Sequence, residues 1–246
     1  MKSFSIDEAF LDVTTTYRFF AKTPEDLARL IKRRISEASR LTCSIGIAPN
    51  KLIAKIASEL KKPDGLVRIQ EADIPALMTR LPVEALCGIG ARLKTTLNDM
   101  NIMTCADLGG ASAALLRGRC GVIGSALKQM GQGHDEHPVM PLNTQALVQS
   151  MGHAYTLPSD TDDAGEIEGT VRRLCEQVAR RLRADGYQGR TITLTIRYQD
   201  FVTRTHARTI PYPTDNGFRI FQVAMQVFHH SCDPLPQRVR LLGVGV

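Results

Sequence analysis

The sequence predicts an α+β protein built from three successive segments. A mixed strand-and-helix segment occupies 1–73, an all-helical segment 74–143 and a β-α-β-β-α-β segment 146–246. Three observations carry that expectation. Up to about residue 70, β-rich apolar runs alternate with stretches whose apolar residues recur at helical spacing. The middle segment shows helical spacing only, punctuated by glycines. Near the C-terminus, Arg190 to Tyr198 alternates strictly between apolar and polar residues, with one long helical stripe before it and another after it. At 246 residues the chain is long enough to bury more than one core.

In the first segment, Phe4-Ser5-Ile6-Asp7-Glu8-Ala9-Phe10-Leu11-Asp12-Val13 reads as a strand, a bend and a second strand continuing into Thr14, Thr15 and Thr16. The adjacent acids Asp7 and Glu8 sit at the bend. Two adjacent carboxylates are hard oxygen donors of the kind Mg²⁺ takes, and such ions drive phosphoryl and nucleotidyl transfer. Taken alone, the dipeptide reads first as a solvated turn. Thr23-Pro24-Glu25-Asp26 is an N-cap followed by proline and acids, so a helix is expected from there to about Ser39. Leu41 to Ala48 reads as a buried strand, ended by Pro49-Asn50. The next helix, Lys51 to Leu60, places Lys51 and Lys55 on one face at i, i+4. Lys61 to Gly65 is a turn by composition, and Leu66 to Ile69 a short strand.

In the second segment a helix opens at Ile74-Pro75 and stops near Leu81-Pro82. Val83 to Leu86 is a helical turn halted by Gly88-Ile89-Gly90. Helices follow from Ala91 to Met100 and, capped by Thr104, from Cys105 to Leu108. This is a helix-hairpin-helix pattern. Its glycines let backbone N–H groups approach a phosphate at a helix N-terminus, although glycine is also the usual helix stop. Arg117, Arg119, Gly121 and Lys128 suggest one more short helix pair. Gly131 to Asn143 reads as the linker to the last segment.

That last segment starts with a strand at Gln149 to Tyr155. A helix capped at Thr161-Asp162-Asp163 then runs to about Ala184, with Ile167, Val171, Leu174, Val178 and Leu182 as its apolar stripe. Strands are expected at Arg190–Tyr198 and Phe201–Ile210, with Pro211 to Thr214 a turn. A helix over Asn216–His230 and a strand over Arg238–Val246 complete the split β-α-β-β-α-β order. The outward Arg and Thr of these strands suit contacts to phosphates.

Bulk properties narrow the function. Lys and Arg number 31 against 25 Asp and Glu, a net charge of +6 that favours a polyanionic partner without demanding one. No apolar run is long enough for a membrane span, and no signal-peptide pattern opens the chain. Six cysteines lack C-x-x-C spacing and read as reduced thiols of a cytoplasmic protein. The histidine pairs have no matching Cys or carboxylate set, which argues against zinc.

Ser5 to Thr14 resembles the second palm motif of the Y-family (DinB/UmuC-like) translesion DNA polymerases. Cys43-Ser44-Ile45-Gly46-Ile47-Ala48-Pro49-Asn50-Lys51 with Ala54-Lys55-Ile56-Ala57-Ser58, then Lys62-Pro63-Asp64-Gly65-Leu66, then Cys87-Gly88-Ile89-Gly90, resemble the family's next segments in order. The resemblance implies a partial palm over 1–73, a helical thumb over 74–143 and a little-finger DNA-binding domain over 146–246. It implies template-directed nucleotidyl transfer in translesion synthesis and DNA repair, with Asp7 and Glu8 holding catalytic Mg²⁺. Lys55 is the residue expected at the triphosphate of the incoming nucleotide, and Lys51 the second choice. Gly88, Ile89, Gly90, Arg190, Arg204, Thr205, Arg208 and Arg238 are the expected contacts to primer-template DNA. The family also carries an N-terminal part with another metal-binding Asp, an aromatic screen for the sugar 2′-OH and the fingers. The chain alone is therefore expected to be inactive, and to take a deoxynucleoside triphosphate once that part is supplied. A sliding clamp is a further candidate partner, although the family's clamp-binding tail is not seen after the last strand. The other reading is a non-catalytic DNA-binding remnant of thumb and little finger.

Overall fold

A computed structural model describes residues 2–3, 7–140, 148–232 and 234–246. The chain divides into two compact units, Met1–Gln145 and Ala146–Val246.

The first unit opens with a hairpin of β1 (Lys2–Ser3) and β2 (Ala9–Phe10), antiparallel, with Ser3 opposite Ala9. Asp7 and Glu8 lie in the connection, as expected of the bend; Phe4 and Ile6 fall outside the described residues. The expected strand through Val13 to Thr16 is instead a turn into a one-turn helix at Tyr17–Phe19. Asp12 decides this: its Oδ1 accepts from Thr14 N at 3.0 Å and from Thr14 Oγ1 at 2.7 Å, a local bond that overrides β propensity. Helix α1 (Pro24–Ser39) starts where the cap predicts, with Thr23 accepting from Asp26 N.

Two short parallel strands follow, β3 (Ile45–Ile47) and β4 (Leu66–Arg68), with Ile45 opposite Leu66. The strand expected over 41–48 is cut to three residues and is not fully buried, and Leu41 is 66% exposed. The reason is Lys32: its ammonium donates to the carbonyls of Cys43 and Gly65 and to Asp64. Peptide groups that a longer ladder would satisfy are thereby met by a side chain. Helix α2 (Lys51–Glu59) is capped by Asn50, whose Oδ1 accepts from Ile53 N at 2.9 Å. It lies so close on β3 that a Cβ on Gly46 would sit 2.1 Å from the Ala54 carbonyl oxygen.

Among the described residues this unit continues with the α-helices α3 (Ile74–Arg80), α4 (Ala91–Asn98), α5 (Cys105–Gly110), α6 (Ala113–Cys120) and α7 (Gly124–Gly131). A reciprocal Thr104–Asp107 capping box starts α5. Ile53 and Ile56 of α2 share one core with Met78, Leu97, Leu108 and Leu116 of the helical part. The stretch read as a linker from Gly131 is at first tied into this unit. Gly133, at φ +79°, turns the chain back, and its carbonyl accepts from Asn50 Nδ2 at 2.8 Å. Glycine content suggested a free segment there, whereas the glycine serves a close approach; residues 141–143 lie outside the described residues.

The second unit contains β5 (Gly152–Thr161), α8 (Ala164–Ala184), β6 (Gly189–Tyr198), β7 (Thr203–Thr214), α9 (Gly217–Ser231) and β8 (Val239–Gly245). The sheet order is β5-β8-β6-β7, with every neighbouring pair antiparallel. Each β-α-β crossover is therefore split by a strand from the other one. Both helices cover one face, where Ile192, Leu194 and Ile196 meet Val171, Val178 and Ile220. The turn expected at Pro211–Thr214 is part of β7. Two prolines are tolerated there because β7 is an edge strand and its register with β6 shifts between Thr209 and Thr214.

Candidate functional site

The hairpin bend and helix α2 meet in the first unit. Glu8 is half-buried, Asp7 is exposed, and the Lys55 ammonium donates to the Glu8 carboxylate. Lys55 also donates to Glu59 Oε1, one turn along α2, at 2.8 Å, and Lys62 joins the same oxygen at 2.7 Å. Burial pulls the Lys55 ammonium toward the neutral form, but the hydrogen bonds and charges of Glu59 and Glu8 outweigh it and leave its pKa raised. Hydrogen bonds from Lys55, then from Lys62, hold the Glu59 carboxyl below the usual carboxylate range.

Lys51 lies one turn before Lys55 on the same face. Both border a cavity of about 550 Å³, to which Phe10, Met130, Asp135 and His137 also contribute. Burial pushes the Asp135 carboxyl up, but the His137 hydrogen bond at 2.7 Å and the Lys51 charge bring it below its usual value.

Asp7 and Glu8 suit Mg²⁺ as oxygen donors, yet Mg²⁺ takes six oxygens in near-octahedral array. Among the described residues no group of three or more His, Cys, Asp or Glu is placed to hold a metal ion.

The glycine corner joins a one-turn helix at Val83–Ala85 to α4. Gly88 has φ +96° and Gly90 is the N-cap of α4. A Cβ at either glycine would meet nothing within 4 Å, so the backbone here is open to a partner. Ile89 differs from the expectation: its side chain is buried in the core, and only its backbone belongs to the corner.

In the second unit the expected contacts do not share a face. Directly opposed residues of an antiparallel pair point to the same side. Arg204 opposes Ile196 and Arg208 opposes Ile192, so both project on the helix-covered side, at the exposed sheet edge. Thr205 opposes Thr195 on the open side, with 3.2 Å between their hydroxyl oxygens. Arg190 is tied back through Nε to the Ile210 carbonyl at 3.1 Å, and Arg238 lies 3.7 Å from Asp162. The expectation that Arg204 and Arg208 face outward with the threonines is therefore corrected. Strand β7 is an edge strand with nearly every position exposed, so its own sequence has no apolar alternation to tell one face from the other.

The sequence pattern of the impB/mucB/samB family matches residues 1–59, and that of the impB/mucB/samB family C-terminal domain matches 148–246. The chain belongs to this family.

Among curated relatives, the DNA polymerase IV of Pelotomaculum thermopropionicum is 39% identical over 246 residues, covering 100% of this chain and 60% of the relative. That of Moorella thermoacetica is 40% identical, with 100% and 61% covered. The chain thus spans about 60% of the length of these relatives. A solved Y-family DNA polymerase chimera superposes with a TM-score of 0.80 at 26% identity, covering 100% of this chain and 70% of that one. The resemblance read from Ser5 to Thr14 holds, and the similarity to DNA polymerase IV relatives extends over the whole of the given chain.

The structure joins Glu8 to Lys55, a contact between the two motifs that the sequence reading did not specify, and adds partners that it missed. Glu59 was visible as an acid at i+4 from Lys55. Arg197, the last polar position of the β6 alternation, opposes Thr203 on the open face and donates to it through Nε at 2.8 Å. The same period-two pattern that predicted β6 could have found it. Asp135 and His137 carried no local signal, because only the turn at Gly133 brings them to Lys51. No helix among the described residues is long and apolar enough to cross a membrane.

Proposed function

We propose that this chain forms the catalytic-hairpin and DNA-holding portion of a Y-family DNA polymerase that extends a primer opposite damaged template. In this reading residues 1–73 are part of the palm, 74–143 the thumb with its helix-hairpin-helix, and 146–246 the little finger. The observation that carries the reading is the Lys55–Glu8 ion pair, which joins two family motifs 47 positions apart in the chain.

Asp7 and Glu8 would hold Mg²⁺, which when bound neutralises charge on the reacting phosphates. Lys55 and Lys51 present cations to the cavity, where the triphosphate of a deoxynucleotide would lie. Glu59 keeps the Lys55 ammonium charged and in place. At the glycine corner, backbone N–H groups at the start of α4 would take a DNA phosphate, reading backbone and not sequence. The remaining metal ligand and the cover over the nascent pair are assigned to the part of the relatives that this chain does not span.

Primer extension and filter binding on one preparation test the proposal. The chain should bind primer-template and extend it only when the N-terminal part of a relative is supplied. Binding without any synthesis under that supplement would favour the non-catalytic reading, and no binding would refute both.

A further inference from the structure

The Lys55 ammonium is already engaged before any ligand arrives. It donates to the Glu8 carboxylate, from the β1–β2 connection, and to Glu59 Oε1 at 2.8 Å, from its own helix. The two acids are held differently. Glu59 lies one turn along α2, and Lys62 donates to the same oxygen at 2.7 Å, so Glu59 stays beside Lys55 whatever the hairpin does. Glu8 belongs to a connection whose flanking strands are two residues each. So short a ladder holds few backbone bonds and opens at little cost. The Lys55 and Glu8 side chains are 22% and 31% exposed, so both are reachable from solvent.

From this arrangement we infer that Glu8 occupies, in the empty chain, the place on the Lys55 ammonium that a phosphate takes, and that phosphate binding exchanges the one for the other. The inference rests on the reading of the cavity as a triphosphate site and states how that site is filled. Charge supports it. Glu8, Glu59, Lys55 and Lys62 form a neutral cluster. The cavity wall therefore shows no net positive charge at Lys55 until Glu8 leaves. A polyphosphate held there with Glu8 still in place would set like charges on one nitrogen. Donor geometry agrees, because an ammonium has three N–H groups and no fixed plane. It can turn from a carboxylate to a phosphate while Glu59 keeps it on α2. The exchange also couples the two halves of the site. Glu8, once released, has its oxygens free for a divalent cation, and Glu8 committed to such a cation leaves Lys55 to the phosphate. The two effects are equal in size, because linkage between binding sites is reciprocal.

The test is isothermal calorimetry of inorganic tripolyphosphate with the full chain, in buffer stripped of divalent cations. Glu8→Gln keeps the shape of the side chain and removes the competing charge, so tripolyphosphate should bind at least about fivefold more tightly, the low end of coupling between sites. Glu8→Ala should give a gain of the same size if Glu8 acts by its charge. Lys55→Met should weaken binding. In the Lys55→Met background Glu8→Gln should change affinity by less than about twofold, because its effect runs through the ammonium; this double-mutant cycle reads the coupling directly. Thermal unfolding midpoints verify that each variant is folded. An equal gain from Glu8→Gln with and without Lys55 would show direct repulsion of the anion, and would overturn the exchange while leaving the cavity a phosphate site. Unchanged or weaker affinity in both Glu8 variants would overturn it likewise. No tripolyphosphate bound by any variant would overturn the reading of the cavity itself, and this inference with it.

Discussion

The Lys55 ammonium and the Glu8 carboxylate form an ion pair between the α2 helix and the β1–β2 connection. Neither residue is chosen by local structure: one is on a helix whose start is set by Asn50, the other in a bend. Their meeting sets a carboxylate of one motif beside a cation of the other.

Glu59 makes this arrangement pH-dependent. Its carboxyl titrates below the usual value because Lys55, and then Lys62, donate to it. A lowered folded pKa contributes stability above the unfolded value of about 4.3 and loses it as pH falls through the folded one. Lys55, raised, contributes fully below its unfolded value of about 10.4, and that part is lost only as pH rises through its higher folded value. Glu59→Gln should therefore flatten the acid limb of stability for the first unit. Urea unfolding from about pH 7 down to about pH 3 measures it; parallel curves for variant and unaltered chain would refute it.

The two glycines of the corner should separate strain from approach. Gly88 sits at φ +96°, so Gly88→Ala should destabilise by about 1–2 kcal/mol through backbone strain alone. Gly90 has an ordinary φ of −83° and open space for a Cβ, so Gly90→Val should cost about 0.5–1 kcal/mol as a poorer N-cap. If the corner meets a phosphate, Gly90→Val should also weaken duplex binding about tenfold, the scale of one lost charge-assisted hydrogen bond. Unchanged affinity in the folded variant would make the corner a helix stop only.

Close backbone approach sets two further positions. A Cβ on Gly46 would lie 2.1 Å from the Ala54 carbonyl oxygen, and one on Gly131 2.4 Å from the Gly109 nitrogen. Both obstacles are backbone and cannot rotate away. Gly46→Ala and Gly131→Ala should each destabilise the first unit by about 3 kcal/mol, the upper range for overpacking. Denaturant midpoints report this, and a change under about 0.5 kcal/mol in either would show that the packed elements can part.

Where a residue's local chemistry matched its final environment, the sequence was readable. Thr23, Thr104 and Asp163 cap helices where their side chains predict, and the alternation of Arg190–Tyr198 became a strand with one buried face. Reading failed where a side chain answered a backbone group that propensity assigns to a ladder. Asp12 turned the threonines after it into a turn, and Lys32 shortened the strand before Ile45. It failed again where an element has no buried side to orient it, as at Arg204 and Arg208 on the edge strand. The motif acids and lysines were legible at the site, and Glu59 at i+4 from Lys55 could have been read with them; Asp135 could not, because its place near Lys51 depends on the turn at Gly133.

The most direct measurement is Mg²⁺-dependent primer extension by this chain joined to the N-terminal part of a DNA polymerase IV relative. Template-directed synthesis should appear with the supplement and be absent without it. Asp7→Ala or Glu8→Ala in the joined protein should lower the rate by about two orders of magnitude or more, the scale for removing a group that stabilises developing charge. Extension at full rate by the Asp7→Ala, Glu8→Ala double variant would contradict the assignment of the hairpin as the catalytic centre.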